Sequence, residues 1–351
     1  MKIGFLKDIE PRVSLTPPAH IKYVKSGYDV SLEKGAGLKS GYLDEDYECT
    51  KFSRSEVIKN SDIIICVDSS SLREIEKFSN KTLISNFSGE KDTDKLKDGI
   101  RKNNITAFDL SKIPRTTIAQ SMDILSSMSG LSGYKSVIKA AEILPKMFPM
   151  MITAAGSIKP VKVVVLGAGV AGLQAIATAK RLGAVVEASD PREAAKEEVL
   201  SLGAKFIEVE GAVEDKEAGG YAVKQTKEFL ERQKQEVSRR LKEADVVITT
   251  AQVLGSKSPV LISRSVVEEM KPGSVIIDLA SSTGGNCELT KDNEITKHNG
   301  VSIVGNSFLA SELAHDASNL FSNNIFNFID YVVKDGKFID QKDDIYKSCK
   351  I

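Results

Sequence analysis

The residues best placed for chemistry stand together: Gly167-Ala168-Gly169-Val170-Ala171-Gly172 fits the pattern G-x-G-x-x-G. The pattern alone is weak. Here it follows a valine-rich run, Val161–Leu166, and opens an apolar stretch reaching Leu182. That strand–turn–helix context makes it informative. Gly167 permits the tight turn, Gly169 lets the backbone approach a pyrophosphate that a Cβ would obstruct, and Gly172 allows close helix–strand packing. Ala168 and Val170, between the glycines, are counted with them as binding residues. Phosphates there meet free N–H groups at the positive end of a helix. Asp190 ends the next apolar run, near the spacing of an acid that accepts hydrogen bonds from ribose hydroxyls. Its charge would repel the extra phosphate of NADP by roughly 1 to 4 kcal/mol at contact distance. Arg192, just beyond Pro191, complicates the choice, because an arginine can pair with that phosphate. NAD is the expected ligand. The plain alternative is a glycine turn that binds nothing.

Composition removes several other chemistries. The chain has 351 residues, with 48 basic and 48 acidic side chains and a net charge of zero, which argues against nucleic acid as a partner. The four cysteines (Cys49, Cys66, Cys287, Cys349) lack metal-ligand spacing, and the three histidines (His20, His298, His315) are far apart, so no metal site is expected. Without a disulfide framework, a reducing compartment fits best. The opening Met1–Leu6 reads as a strand and lacks a signal-peptide pattern, so a cytoplasmic location is expected. Val161–Ala179 is apolar for nearly a membrane-spanning length, but Lys162, Gln174 and three glycines interrupt it. It reads as a buried strand, a glycine turn and a buried helix.

The elements around these residues alternate. Strands are expected at Lys2–Leu6, Tyr28–Glu33, Asp62–Val67, Thr82–Asn86 and Ile105–Asp109. Helices are expected at Pro17–Gly27, behind Thr16 as N-cap, and at Ser55–Asn60. A helical link runs from about Ser121 through Tyr134–Leu144. A second alternating set follows: strands at Val161–Leu166, Val185–Asp190, Lys205–Val209, Val246–Thr250, Ser274–Asp278 and Val301–Val304, with helices at Glu193–Leu202, Lys224–Glu243 and Ser263–Met270. Alternation of this kind predicts α/β architecture with doubly wound parallel sheets. The helical tail Phe308–Val332 is expected to pack back on the first domain. The domains are then 1–128 with 306–351, and 129–305.

At this point a resemblance enters. Gln120-Ser121-Met122-Asp123-Ile124-Leu125-Ser126-Ser127, Thr153-Ala154-Ala155-Gly156, the stretch Gly167–Ala184, Ser201–Phe206, Lys271–Ala280 and Gly284-Gly285-Asn286-Cys287 resemble domain I of proton-translocating nicotinamide nucleotide transhydrogenase. The likeness is specific from Arg115 to about Phe328 and looser before it, where Arg12-Val13-Ser14-Leu15-Thr16-Pro17 is the main match. It implies two Rossmann-like domains with an NAD cleft between them. It also implies a peripheral NAD(H)-binding component, usually a homodimer. Such a component passes a hydride to NADP(H) on a partner component, coupled to proton movement through a membrane-spanning partner. That places the chain in the cytoplasm, peripherally on the inner membrane through partner subunits.

The resemblance also implies roles. Arg115 matches an arginine at the nicotinamide region, Asp123 and Ser126 an acid and hydroxyl near the carboxamide, and Gln120 a glutamine reaching toward the partner's nucleotide. Asp190 and Arg192 match adenosine-ribose contacts, Gly220 and Tyr221 a mobile loop, and Gln233 a further cofactor contact. Two departures stand out. Gln252-Val253-Leu254-Gly255 replaces a more apolar Leu-Ile-Pro-Gly at the adenine-side wall, where Gln252 is the expected contact, and Phe308-Leu309-Ala310-Ser311 lacks a proline before the serine.

Hydride transfer between two nicotinamides needs no general base; it needs aligned rings and excluded water. A set of amide-holding groups (Arg115, Gln120, Asp123, Ser126) suits that task. Gln120, Asp123 and Ser126 share one face if the segment is helical. The plainer alternatives are that Asp123 caps a helix and Arg115 pairs on the surface. Two rivals remain in view. An enzyme similar to alanine dehydrogenase would need proton acceptors and a carboxylate-binding cation. The lysine and histidine of those enzymes are replaced here by Val67-Asp68-Ser69-Ser70 and Ser85-Asn86-Phe87-Ser88. A non-catalytic NAD(H)-sensing module would need the glycine turn but not the Gln120–Ser126 set.

Overall fold

The computed structural model describes residues 1–89, 92–192, 194–208, 227–252, 256–339 and 341–351. The chain divides into two compact units, Met1–Met128 with Ala310–Ile351, and Ser129–Leu309.

The first unit is built on a parallel sheet of β1 (Lys2–Phe5), β2 (Asp29–Glu33), β3 (Thr50–Phe52), β4 (Ile63–Asp68), β5 (Thr82–Asn86) and β6 (Thr106–Asp109), in the order β3-β2-β1-β4-β5-β6. Helices α1 (Pro17–Lys25), α2 (Arg54–Asn60) and α3 (Thr93–Lys102) connect the strands. The run Ile63–Val67 shows why the sheet is covered on both faces. Ile63, Ile65 and Val67 enter one core, while Ile64 and Cys66 enter the other. Alternate residues of a strand point to opposite faces, so a strand apolar at every position must be buried twice. The helix α4 (Ile124–Ile143) begins in this unit and continues in the second.

In the second unit the sheet contains β9 (Lys162–Leu166), β10 (Val185–Ser189), β11 (Lys205–Phe206), β12 (Val246–Thr249), β13 (Val275–Asp278), β14 (Glu294–His298) and β15 (Val301–Gly305). Their order is β11-β10-β9-β12-β13-β15-β14. Helices α5 (Val170–Arg181), α6 (Ala194–Ser201), α7 (Lys227–Glu243) and α8 (Arg264–Glu268) accompany them. The apolar window from Val161 resolves into β9, the glycine turn and α5. Among the described residues no helix is long and apolar enough to cross a membrane. The strand order reverses at β9, where open α/β sheets present a crevice at the carboxyl ends.

The sheet is not wholly parallel, as the sequence reading expected: β14 pairs antiparallel with β15. Its side chains are mostly exposed, so no apolar alternation marks it. The turn did carry a signal. Asn299 and Gly300 join His298 to Val301 with φ of 48° and 77°, the left-handed pair that an Asn-Gly hairpin requires. A second hairpin, β7 (Met151–Thr153) with β8 (Gly156–Ile158), is exposed along both strands. The expected strand Lys205–Val209 is shorter, and Val209 and residues 224–226 of the expected helix lie outside the described residues.

The tail forms a 3-10 turn, Leu309–Leu313, and then α9 (Ala314–Val332). Phe321, Ile325, Phe328, Ile329 and Val332 of α9 share a core with Ile3, Phe5 and Tyr23. Hydroxyls on the same helix reach the loop after β1: Ser318 Oγ accepts from Val13 N at 2.9 Å, and Ser322 Oγ from Thr16 N at 3.2 Å. Two short strands, β16 (Val333–Lys334) and β17 (Lys337–Phe338), and the helix α10 (Asp344–Cys349) complete the chain.

Candidate functional site

The glycine turn joins β9 to α5, and its three glycines are there for different reasons. Gly167 has φ of +97°, and a Cβ on it would lie 2.5 Å from Thr250 Oγ1. A Cβ on Gly172 would lie 1.9 Å from the carbonyl oxygen of Gly167. Both positions are closed by the chain itself. Gly169, the N-cap of α5, has an ordinary φ of −77°, and a Cβ there would meet nothing within 4 Å. Neither backbone conformation nor packing against the described residues demands glycine at 169. The space in front of it suits a ligand that approaches the backbone closely, and the first-turn N–H groups of α5 have no intrahelical acceptors. Ala168 is buried, and Val170 is half exposed.

Residues from distant segments hold this turn. Thr250 Oγ1 donates to Gly167 O at 3.0 Å. Asn286, fully buried, accepts from Ala251 N and donates to Ala251 O and Pro259 O. The buried carboxylate of Asp278 in turn accepts from the backbone N–H groups of Asn286 and Cys287. Gln252 follows in the same loop and donates from Nε2 to Leu279 O at 3.1 Å. The resemblance marked Gln252 and the stretches that hold Asp278 and Asn286, but their role as supports of the turn could not be read from the sequence, because each lies far along the chain from what it holds.

Asp190 follows β10 and is 7% exposed. Its Oδ2 accepts from Ala168 N at 2.7 Å and from Arg192 Nη2 at 3.1 Å. Its Oδ1 accepts from Arg192 N and Arg192 Nε, both at 2.9 Å. The guanidinium grips the carboxylate side-on, and the hydrogen bonds to Asp190 raise the pKa of Arg192. The charge of Asp190, from which repulsion of a 2′-phosphate is expected, is thus paired within the chain. Pro191 between them is exposed. Gln233 is half-buried on α7. Gly220 and Tyr221 lie outside the described residues, as do Val253, Leu254 and Gly255.

The second group of candidates lies in the first unit, within one segment. Residues Ile118–Met122 form a 3-10 turn pinned by buried Ala119 and Met122. Asn324 and Asn327 of α9 both donate to Ser121 O, at 2.8 and 3.0 Å. Gln120 and Arg115 are exposed, and no ion pair of Arg115 is found among the described residues. The segment is not one helix, so Gln120, Asp123 and Ser126 do not form a single helical face. The backbone breaks at Asp123, and α4 starts after it. Asp123 caps α4: Oδ1 accepts from Leu125 N and Ser126 N, and Oδ2 from Ser126 Oγ at 2.6 Å. The capping alternative is therefore what the geometry contains, and it fixes Asp123 and Ser126 as a rigid pair.

Two further features lie beyond the parallel strands of this unit. Arg12 sits in a two-bond fork with Glu10, both contacts at 2.6 Å, so its carboxylate-binding edge is already filled. Asp8, buried, accepts from Val67 N and Ser71 Oγ. Burial pushes its carboxyl pKa from 3.8 up to about 7. Among the described residues no cluster of His, Cys, Asp and Glu could hold a metal ion.

Two doubly wound sheets, one parallel with order 3-2-1-4-5-6 and one repeating that order in its parallel strands beside the antiparallel edge β14, with a glycine turn at the second sheet's switch point, define a two-domain dehydrogenase fold of the nucleotide-binding class. Models of the alanine dehydrogenase/PNT N-terminal domain match residues 6–132, and those of the C-terminal domain residues 136–350. The chain belongs to the alanine dehydrogenase/PNT family, on its transhydrogenase side. It is 43% identical to the first part of NAD(P) transhydrogenase subunit alpha of Rickettsia prowazekii, over 96% of this chain and 91% of the relative. The crystal structure of transhydrogenase from Sinorhizobium meliloti superposes with a TM-score of 0.90 at 38% identity, covering 100% of this chain and 98% of that one. Alanine dehydrogenase of Methanococcus maripaludis is more distant, at 26% identity over 85% of this chain and 76% of the relative.

Proposed function

We propose that the chain is the NAD(H)-binding component of a proton-translocating NAD(P) transhydrogenase, exchanging a hydride with NADP(H) on a partner component. The observation that carries this is Gly169. Its missing side chain meets nothing among the described residues, which supports a ligand held close to the backbone there. Near-full-length similarity to transhydrogenase alpha subunits names the ligand class as a nicotinamide nucleotide.

The bound nicotinamide supplies or accepts the hydride. The residues of this chain bind, orient and exclude water. Gly167, Ala168, Gly169, Val170 and Gly172 shape the pyrophosphate seat at the start of α5. Asp190 and Arg192 face the adenosine ribose, with Pro191, Gly220, Tyr221, Gln233 and Gln252 as further contacts. Arg115 and Gln120 offer exposed hydrogen-bonding groups for the carboxamide and the partner's nucleotide. The Asp123–Ser126 pair, locked by the cap, offers a hydroxyl oxygen in a fixed place. None of these groups needs to lose a proton, as hydride transfer requires no base.

The Rickettsia relative is by name one portion of an alpha subunit, which implies further subunits. Membrane-spanning and NADP(H)-binding partners then complete the assembly and hold this chain on the cytoplasmic face of the inner membrane. A second copy of the chain is also a partner. The hairpin β7–β8 is too small to be stable alone. It and the residue before it expose Met150, Met151, Ile152 and Ile158, apolar side chains that a homodimer would cover.

The test mixes the purified chain with an NADP(H)-binding transhydrogenase component and follows hydride transfer from NADPH to an NAD analogue. L-alanine with NAD is run in parallel. Transfer that requires both proteins is the expected result. Alanine oxidation by the chain alone would replace this reading, and tight NADH binding with neither activity would point to a sensor.

A further inference from the structure

An ionised carboxylate offers about four acceptor positions. In Asp190 all four are taken, one by Ala168 N and three by Arg192, through its backbone N–H, Nε and Nη2. The acid at this place in the fold is the one that meets the ribose hydroxyls. Here it meets them already saturated and with its charge paired by a guanidinium 2.9 Å away. The Arg192 side chain is about one-third exposed, against 5% for Asp190, so the cation faces outward and the anion is screened behind it.

We propose that Arg192, not the charge of Asp190, sets how strongly this site distinguishes NAD(H) from NADP(H). This rests on the nucleotide-binding reading above and deepens it. A lone carboxylate rejects a 2′-phosphate by like-charge repulsion. A carboxylate gripped side-on by arginine presents a nearly neutral pair with free guanidinium N–H groups on its outer edge, and such an edge accepts phosphate oxygens. Closed on Asp190, Arg192 therefore blunts discrimination against the 2′-phosphate. Removed, it unmasks the carboxylate and returns acceptor positions to the ribose hydroxyls. The expected consequence runs against intuition: deleting a cation beside the ribose sharpens the preference for NAD(H).

The quantity to read is the ratio of dissociation constants, NADPH over NADH, because any contact of Arg192 with the shared part of the nucleotides cancels in it. Titrations of nucleotide fluorescence would be made on the whole chain and on Arg192→Ala, Arg192→Gln and Arg192→Lys, with thermal melts to verify folding. Arg192→Ala and Arg192→Gln should each raise the ratio about tenfold, the size of one partly screened charge contact. Arg192→Lys, which keeps the charge, should stay within about threefold of the native ratio by the same reasoning. A ratio unchanged or lowered in both neutral variants overturns the proposal. Failure of the native chain to bind either nucleotide overturns the nucleotide-binding reading beneath it.

Discussion

Replacing Gly169 by alanine separates the ligand's demands from those of the fold. The added methyl meets no atom of the described residues within 4 Å, and φ of −77° suits any residue. The structural cost is confined to the N-cap preference, under about 1 kcal/mol. For a chain of this size that is a shift of a few degrees at most in melting temperature. A pyrophosphate set against the backbone loses far more. The methyl stands where the phosphate oxygens would approach, and one hydrogen bond to a charged group is worth about 1.5 to 3 kcal/mol. NADH binding should therefore weaken by about 10- to 150-fold. Titration of NADH fluorescence gives the affinity, and a thermal melt gives the stability of the same sample. Native affinity in a folded Gly169→Ala protein would show that phosphates do not rest on this backbone. Loss of folding would show that the space at Gly169 is not open.

Other expectations follow from the same geometry. Gly172→Ala drives a Cβ to 1.9 Å from the Gly167 carbonyl, so the turn must open; a loss of about 3 kcal/mol or more is expected from a denaturant midpoint, and a native midpoint would contradict it. Asp8 has a folded pKa raised from 3.8 to about 7, so its contribution to stability is fully present below pH 4 and is lost as pH rises through 7. Measured against Asp8→Asn, the native chain should lose up to about 4 kcal/mol of stability between pH 4 and pH 8, and a pH-independent difference would refute the buried assignment. Asp123→Asn keeps a capping oxygen, whereas Asp123→Ala forfeits about 1 kcal/mol. Slowed hydride transfer in the asparagine variant, at native stability, is the outcome that gives the carboxylate a role beyond the cap. Ile152→Asp places a charge on the exposed hairpin, and light scattering should report monomers in place of dimers; an unchanged mass would remove the hairpin from the interface.

Much of the fold is legible because its signals are local. Valine-rich runs such as Val163–Leu166 and the isoleucines of β4 declare strands buried on both faces, and the glycine turn declares itself by spacing. What escapes is written in polar or distant residues. The strand β14 has no apolar rhythm, since it is an exposed edge whose only mark is the Asn299-Gly300 turn. The break at Asp123 depends on a side chain bonding two and three residues ahead, which competes with helix for the same backbone groups. The pairing of Asp190 with Arg192 depends on how the chain turns at Pro191, and in the sequence the arginine reads equally as a partner for a ligand's phosphate. Thr250, Asn286, Asn324 and Asn327 support the two groups of site residues through side-chain hydrogen bonds across long stretches of chain, and no local pattern says which backbone group each will reach.

The helix α9 bears on the order in which the molecule can be made. Its phenylalanines and isoleucines complete the core of a sheet whose last strand ends at Asp109. A ribosome adding 5 to 20 residues each second needs roughly 10 to 45 seconds to travel from that strand to the end of α9. During that interval the face of the sheet that α9 will help α1 to cover, with Ile3, Phe5, Ile63 and Ile65 on it, lacks that part of its lid, while all of the second unit is synthesised and free to fold. The nascent first unit is then an obvious client for a chaperone. Severing the chain ahead of residue 314 would leave that client without its missing piece, and supplying α9 as a separate peptide would be a direct way to ask whether the lid can still be fitted afterwards.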